Sequence, residues 1–163
     1  MTTPPSNQYE RQLRNSKDTA EEEERRSRMY ARMLDYIEQQ VPGFTVGPME
    51  AVTLAYICNK KIDVLPHDAT AETVTQQVFG IEQGDTALDA MWKIQQVVHG
   101  CTMEGIDRLV QEAHGNDEER AKMETLRSMV AASHQDKEEK YKKGKMFSIG
   151  KIPAYWKPSW LKL

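Results

Sequence analysis

The feature that most limits what this chain can fold into is a series of apolar stripes at helical spacing, each closed by a helix breaker. Met29, Tyr30, Met33, Leu34 and Ile37 recur every three or four residues and stop at Pro42-Gly43. Positions i, i+3 and i+4 share one side of a helix, so such a stripe buries one face and leaves the other to charge. Thr19 and Glu22 have capping-box spacing and place the start of this first helix near Asp18 or Thr19. The acids from Glu21 to Glu24 pair ahead with Arg25, Arg26 and Arg28, which reads as a solvated, self-paired turn.

The same logic runs down the chain. A second helix is expected from Gly47-Pro48, proline being suited to the first helical position. Met49, Val52, Tyr56 and Ile57 would face inward, with a stop near Asn59. The loop after it holds Ile62, Val64 and Leu65, which form a short extended piece. A third helix spans Thr70 to Phe79, with Val74 and Val78 one turn apart and Gly80 as its stop. The fourth, capped by Asp85 or Thr86, carries Leu88, Met91, Trp92, Gln95 and Val98 on one face and ends at Gly100. It reads as the centre of the core. Thr102 opens a fifth helix, with Ile106, Leu109 and Val110 inward until Gly115. Asn116 and Glu119 cap a sixth, with Met123, Leu126, Met129 and Val130 in its first half. Beyond Ser133 that helix is nearly all charge, so its second half is expected to project into solvent or toward a partner.

The sequence thus predicts an all-α fold, an irregular bundle of about six helices over residues 18–143. An N-terminal segment, 1–17, is polar and carries Pro4 and Pro5, and is expected to be disordered or extended. The remaining piece, 144–163, is of another kind. It holds Tyr155, Trp156 and Trp160 beside Met146, Phe147, Ile149 and Ile152, and is interrupted by Gly144, Gly150, Pro153 and Pro158. That is too apolar for a free linker and too broken for a helix. It reads as an extended arm whose large side chains need a surface to lie on.

Charge sharpens the contrast. From Lys140 onward there are seven lysines and no acid, which leaves 15 basic against 25 acidic residues in the rest, a net of −10. An acidic helical body carries a basic, aromatic arm. Hydrophobic residues make up 39% of the 163 and charged ones 29%, which suits a modest helical core rather than a wide sheet. No apolar run approaches the roughly 18 residues of a membrane span, and the N-terminal stretch lacks the apolar core of a secretory signal. Cys58 and Cys101, the two cysteines, are expected to be reduced and buried. The expected location is the cytoplasm, or a particle assembled there.

Chemistry-bearing patterns are sparse. His99 and Cys101 flank Gly100, but a structural zinc site takes four ligands, and Cys58, His67, His114 and His134 have no ligand spacing. There is no nucleophile elbow and no phosphate-cradling glycine loop. Asp85, Asp89, Asp117 and Glu118 sit at helix starts, where dipole compensation accounts for them. No catalysis, metal or cofactor is expected.

The arm admits three readings. It folds back on its own body, its lysines answering the acidic helices. Or it enters a groove on another subunit, with Trp156 and Trp160 as anchors and the prolines limiting the entropy of ordering. Or its lysines and aromatics take single-stranded nucleic acid, a reading that the acidic body opposes. The expectation is a non-enzymatic interaction subunit of a larger assembly, such as a virion or ribonucleoprotein accessory protein. Met146, Phe147, Lys151, Ile152, Tyr155, Trp156, Lys157 and Trp160 would make the contact with a protein partner, and Lys145 would add charge. The alternative is a small acidic regulatory or inhibitor protein that covers a basic protein surface by charge complementarity.

Overall fold

The structure is a computed structural model that describes the backbone of residues 5–61 and 68–150, and the side chains of those stretches from Thr19 onward, Met49 excepted. Five helices and no strand occur among the described residues: α1 (Pro5–Gln40), α2 (Pro48–Lys61), α3 (Ala71–Phe79), α4 (Ala87–Glu112) and α5 (Asp117–Lys142). No helix among them is long and apolar enough to cross a membrane.

α1 does not wait for Thr19. It starts at Pro5, so residues 5–17, expected as extended or disordered, are helical backbone continuous with the amphipathic part. The stretch contains good helix formers, and no glycine or proline interrupts it between Pro5 and Pro42. Glu22 binds Arg26 at 3.2 Å and Glu24 lies 3.9 Å from Arg28, the expected i, i+4 pairs, while Arg25, expected to meet Glu21, binds Glu22 at 2.6 Å. Tyr30, Met33 and Ile37 are fully buried, and Val41 continues their stripe into the turn at Gly43, where φ is +84°.

α2 is the surrounded helix. It packs against α1, α3 and α4, and Thr53, Leu54, Ala55, Ile57 and Cys58 are all buried. Val52 and Tyr56, expected inward, are only half-buried. A helix with neighbours on several sides has no single polar face, so periodicity picks the wrong stripe. Asn59 at its far end accepts from Tyr30 Oη at 3.2 Å, tying α2 back to α1. Cys58 and Cys101 are free and buried. The piece containing Ile62, Val64 and Leu65 lies outside the described residues.

α3 agrees closely with the sequence reading. Thr70 Oγ1 accepts from Thr73 N, Val74 and Val78 are buried, and Gly80 closes the helix with φ of +70°. α4 departs from it. The expected fourth and fifth helices are one, because Gly100 keeps helical backbone instead of forming a left-handed cap. Ala90, Ile94, Val98 and Cys101 run unbroken along the core face, and Thr102 Oγ1 donates back across the glycine to Val98 O at 2.8 Å. Burial along one continuous face outweighs the roughly 1 kcal/mol that glycine costs in a helix. Thr86 and Asp89 form a reciprocal capping box at its start.

Gly115 turns the chain, Asn116 caps α5, and α5 returns against α4. Gly144, with φ of +69°, then closes α5 as Lys145 N donates to Lys140 O at 2.8 Å. The chain runs on without regular structure to Gly150, burying Phe147 and Ile149 on the body and leaving Met146 exposed.

Candidate binding groove between α4 and α5

Two antiparallel helices, each with a residue at i, i+3 and i+7, build the site. α4 offers Trp92, Gln95 and His99, and α5 offers His134, Lys137 and Tyr141. On each helix that spacing gathers the three side chains on one side. The rings meet as a column. Tyr141 stacks on Trp92 with centroids 5.2 Å apart, Trp92 on His134 at 5.2 Å, and His134 on His99 at 3.9 Å, with planes within 17° of parallel. Phe147 closes one side, its ring edge-on to Trp92 at 6.2 Å. The second half of α5 therefore faces α4 and does not project away from the body. Its charges lie between ring-bearing positions, and the rings decide its orientation.

Polar contacts fix the column at its Tyr141 end and in its middle. Tyr141 Oη donates to Asp89 Oδ1 at 2.7 Å, so the capping residue of α4 also anchors α5. That bond, with those from Thr86, holds the Asp89 carboxyl below its usual range and pushes the Tyr141 phenol up. In the middle, Gln95 is buried and uses both ends of its amide. Its Oε1 accepts from Gly150 N at 2.7 Å, which leaves Nε2 facing His134 Nδ1 at 3.2 Å. An amide nitrogen only donates, so His134 Nδ1 is an acceptor and its ring is the neutral Nε2–H tautomer. Burial lowers the pKa of His134, and burial together with the facing His134 ring lowers that of His99. Desolvation also depresses the Lys137 ammonium.

The two flanks of the helix pair differ. On one, Arg127 binds Asp107 at 2.6 Å and bridges α5 to α4. On the other, an open groove of about 250 Å³ is lined by Val98, His99, Thr102, Leu126, Met129, Val130, Ser133, His134 and Lys137, with Gly150 at its wall. Its apolar lining is incompletely covered: Met129 is 64% exposed and Leu126 40%, and α5 buries no residue fully.

No family model, curated protein or solved structure matches this chain.

Of the residues expected to make a contact, Met146 is exposed at 61% and Phe147 is buried against Trp92. Lys151, Ile152, Tyr155, Trp156, Lys157 and Trp160 lie outside the described residues, as does His67. His99 and Cys101 do not converge. His99 meets His134 face to face, so their nitrogens lie in parallel planes, while Cys101 joins the core. No group of three or more His, Cys, Asp or Glu able to hold a metal occurs among the described residues. Sequence reasoning missed the ring column. The available signal was the matching i, i+3, i+7 spacing of Trp92, Gln95 and His99 on one helix and His134, Lys137 and Tyr141 on the other.

Proposed function

We propose that this protein is a non-enzymatic interaction subunit of a larger assembly, which docks on a protein partner through its C-terminal arm. The observation that supports this reading best is how the arm leaves the body. Phe147, Ile149 and the Gln95–Gly150 bond tether the chain beside an apolar groove, while Met146 is left facing outward. A tethered departure point lowers the entropic cost of presenting the residues beyond it. Those residues are Lys151 to Leu163, with Tyr155, Trp156 and Trp160 among them. Aromatic side chains of this kind are the commonest anchors in protein contacts.

The polar groups of the groove also fit a binding role better than a reaction. In the groove Gln95 is committed to His134, and beside it Tyr141 is committed to Asp89, and such commitments rigidify a surface. An acidic body favours a protein partner over a polyanion. A cytoplasmic location, or a place in a particle assembled there, goes with the two free thiols.

The test is capture of partners by the tagged full chain and by Trp156→Ala, each identified by mass spectrometry. Loss of one large anchor costs about 2 kcal/mol or more, roughly thirtyfold in affinity, so a specific partner should vanish from the variant. Identical protein sets from both chains would remove the reading.

A further inference from the structure

We propose that this chain associates with a second copy of itself, the two α5 helices lying antiparallel about a two-fold axis at Met129. The surface is separate from the C-terminal contact residues, so the two readings stand or fall apart.

α5 is 26 residues long and buries none of them fully. Glu118, Lys122, Leu126, Met129, Asp136 and Lys140 are all exposed. Steps of three, four and seven residues set these six along one side of the helix, the rhythm by which long helices pack on one another. Among the described residues nothing lies over this stripe. The α4–α5 groove opens onto it, because Leu126 and Met129 belong to both. The large hydrophobic side chains that stand exposed follow the same line. Leu126 and Met129 lie at its centre, with Leu109 and Met146 near the two ends of the helix pair.

The order of the charges identifies the occupant. A two-fold axis at Met129 sets each residue against the one equally far from Met129 in the other direction. Lys122 and Asp136 are each seven residues away, and Glu118 and Lys140 each eleven. Lys122 therefore meets Asp136 of the second copy, and Glu118 meets its Lys140. Within one chain, Glu118–Lys122 at 3.9 Å and Asp136–Lys140 at 3.1 Å both run acid before base, so a reversed copy presents base to acid at each level. The ends agree. Residues 112–119, around the turn, hold four acids and no lysine or arginine. Residues 139–146, which the axis places opposite them, hold four lysines and one acid. In a parallel pairing each of these charges would meet its own copy. One patch used twice is what a two-fold interface requires, and a different partner does not call for a pattern symmetric about its own midpoint.

The stripe from Glu118 to Lys140 is about 33 Å long at ~1.5 Å per residue, and one helix wide. That is at the small end of specific interfaces, and exposed ion pairs are weak. Association is therefore expected on the order of tens of micromolar, and should weaken with salt.

The experiment is sedimentation velocity of the full chain at low salt, from low micromolar to several hundred micromolar. The native chain should pass from monomer to dimer across this range. Lys122→Glu and Asp136→Lys, each alone, should dimerise about tenfold more weakly, since two like-charge contacts replace two ion pairs. An equimolar mixture of the two variants should recover the native affinity, because each then offers the charge that the other lacks. The double variant Lys122→Glu/Asp136→Lys restores both pairs within one chain and should also recover it, which keeps the test should a single variant lose helicity by circular dichroism. A native chain that stays monomeric throughout would overturn the proposal. So would a dimer that neither single variant weakens, since in a parallel pairing or at another surface these reversals change little. Weakening that neither the mixture nor the double variant restores would overturn the register at Met129.

Discussion

Gln95 Nε2 lies 3.2 Å from His134 Nδ1, a contact available only while that imidazole is neutral. Through Oε1, the same amide holds Gly150 N. Protonating His134 puts a donor against a donor. The amide then turns over to offer Oε1 to the imidazolium, and Gly150 loses its acceptor. The state of one ring on α5 is in this way linked to the attachment of the C-terminal segment.

The first prediction concerns pH. His99 and His134 both have folded pKa values below the ordinary 6.5. Lys137 and the two rings themselves oppose a new positive charge there, while Glu138 favours one on His134. As pH falls through 6.5 the unfolded chain takes up protons that the folded chain refuses, so stability is lost from that point downward. Thermal unfolding at pH 7.5 and 5.5 should show a lower Tm at pH 5.5. The double variant His99→Phe/His134→Phe should show a smaller difference. Asp89 and Glu22 act in a separate window, since their lowered values place their loss of stabilisation at pH below about 4.

The second concerns Gln95. In Gln95→Glu the carboxylate still accepts from Gly150 but presents no donor to His134. It should therefore favour the imidazolium and raise the His134 pKa, as read by NMR titration of the ring protons. Gln95→Leu leaves both partners unpaired, at a cost of about 1–3 kcal/mol in chemical denaturation. A Glu variant with an unchanged or lowered His134 pKa would contradict the assigned tautomer.

The third separates the ring column from its polar anchor. Tyr141→Phe keeps the stack on Trp92 and removes only the bond to a half-buried Asp89, a loss of about 0.5–1.5 kcal/mol. Trp92→Ala removes three ring contacts at once and should cost about 3 kcal/mol. If the two variants lose equal stability in urea unfolding, the column is not what holds α5 to α4.

The fourth tests the continuity of α4. A Cβ added at Gly100 meets nothing within 4 Å, and the backbone there is helical. Gly100→Ala should then stabilise the protein by about 1 kcal/mol, a rise of about 2–4 °C in Tm. A cap glycine in the left-handed region gives the opposite sign. A fall in Tm would mean that α4 is broken at Gly100, as its local sequence suggests.

These residues show what is legible in the sequence. Thr70, Gly80, Thr86 and Asn116 act through local chemistry, and each caps a helix as its sequence context implies. Gly100 looks locally like Gly80, yet sits inside a helix because burial on both sides of it comes from distant elements. The same holds for α2, whose neighbours on α1, α3 and α4 erase its polar face. His134 and Tyr141 are hidden among lysines and glutamates, because stacking depends on the partner helix and leaves little periodic hydrophobic signal. Met129 and Leu126 have the spacing of core residues and stand exposed, since a stripe does not reveal how much of it a neighbour covers.

The most direct measurement is amide hydrogen exchange at Gly150, monitored by NMR in the full chain. With Gln95 holding that N–H, exchange at pH 7 should be slowed well below the random-coil rate. Protection should disappear in Gln95→Leu and, after correction for intrinsic rates, as pH drops toward 5. Random-coil exchange at Gly150 in the unaltered protein at pH 7 would show that the C-terminal segment is not tied to α4, and would contradict the groove and the tether alike.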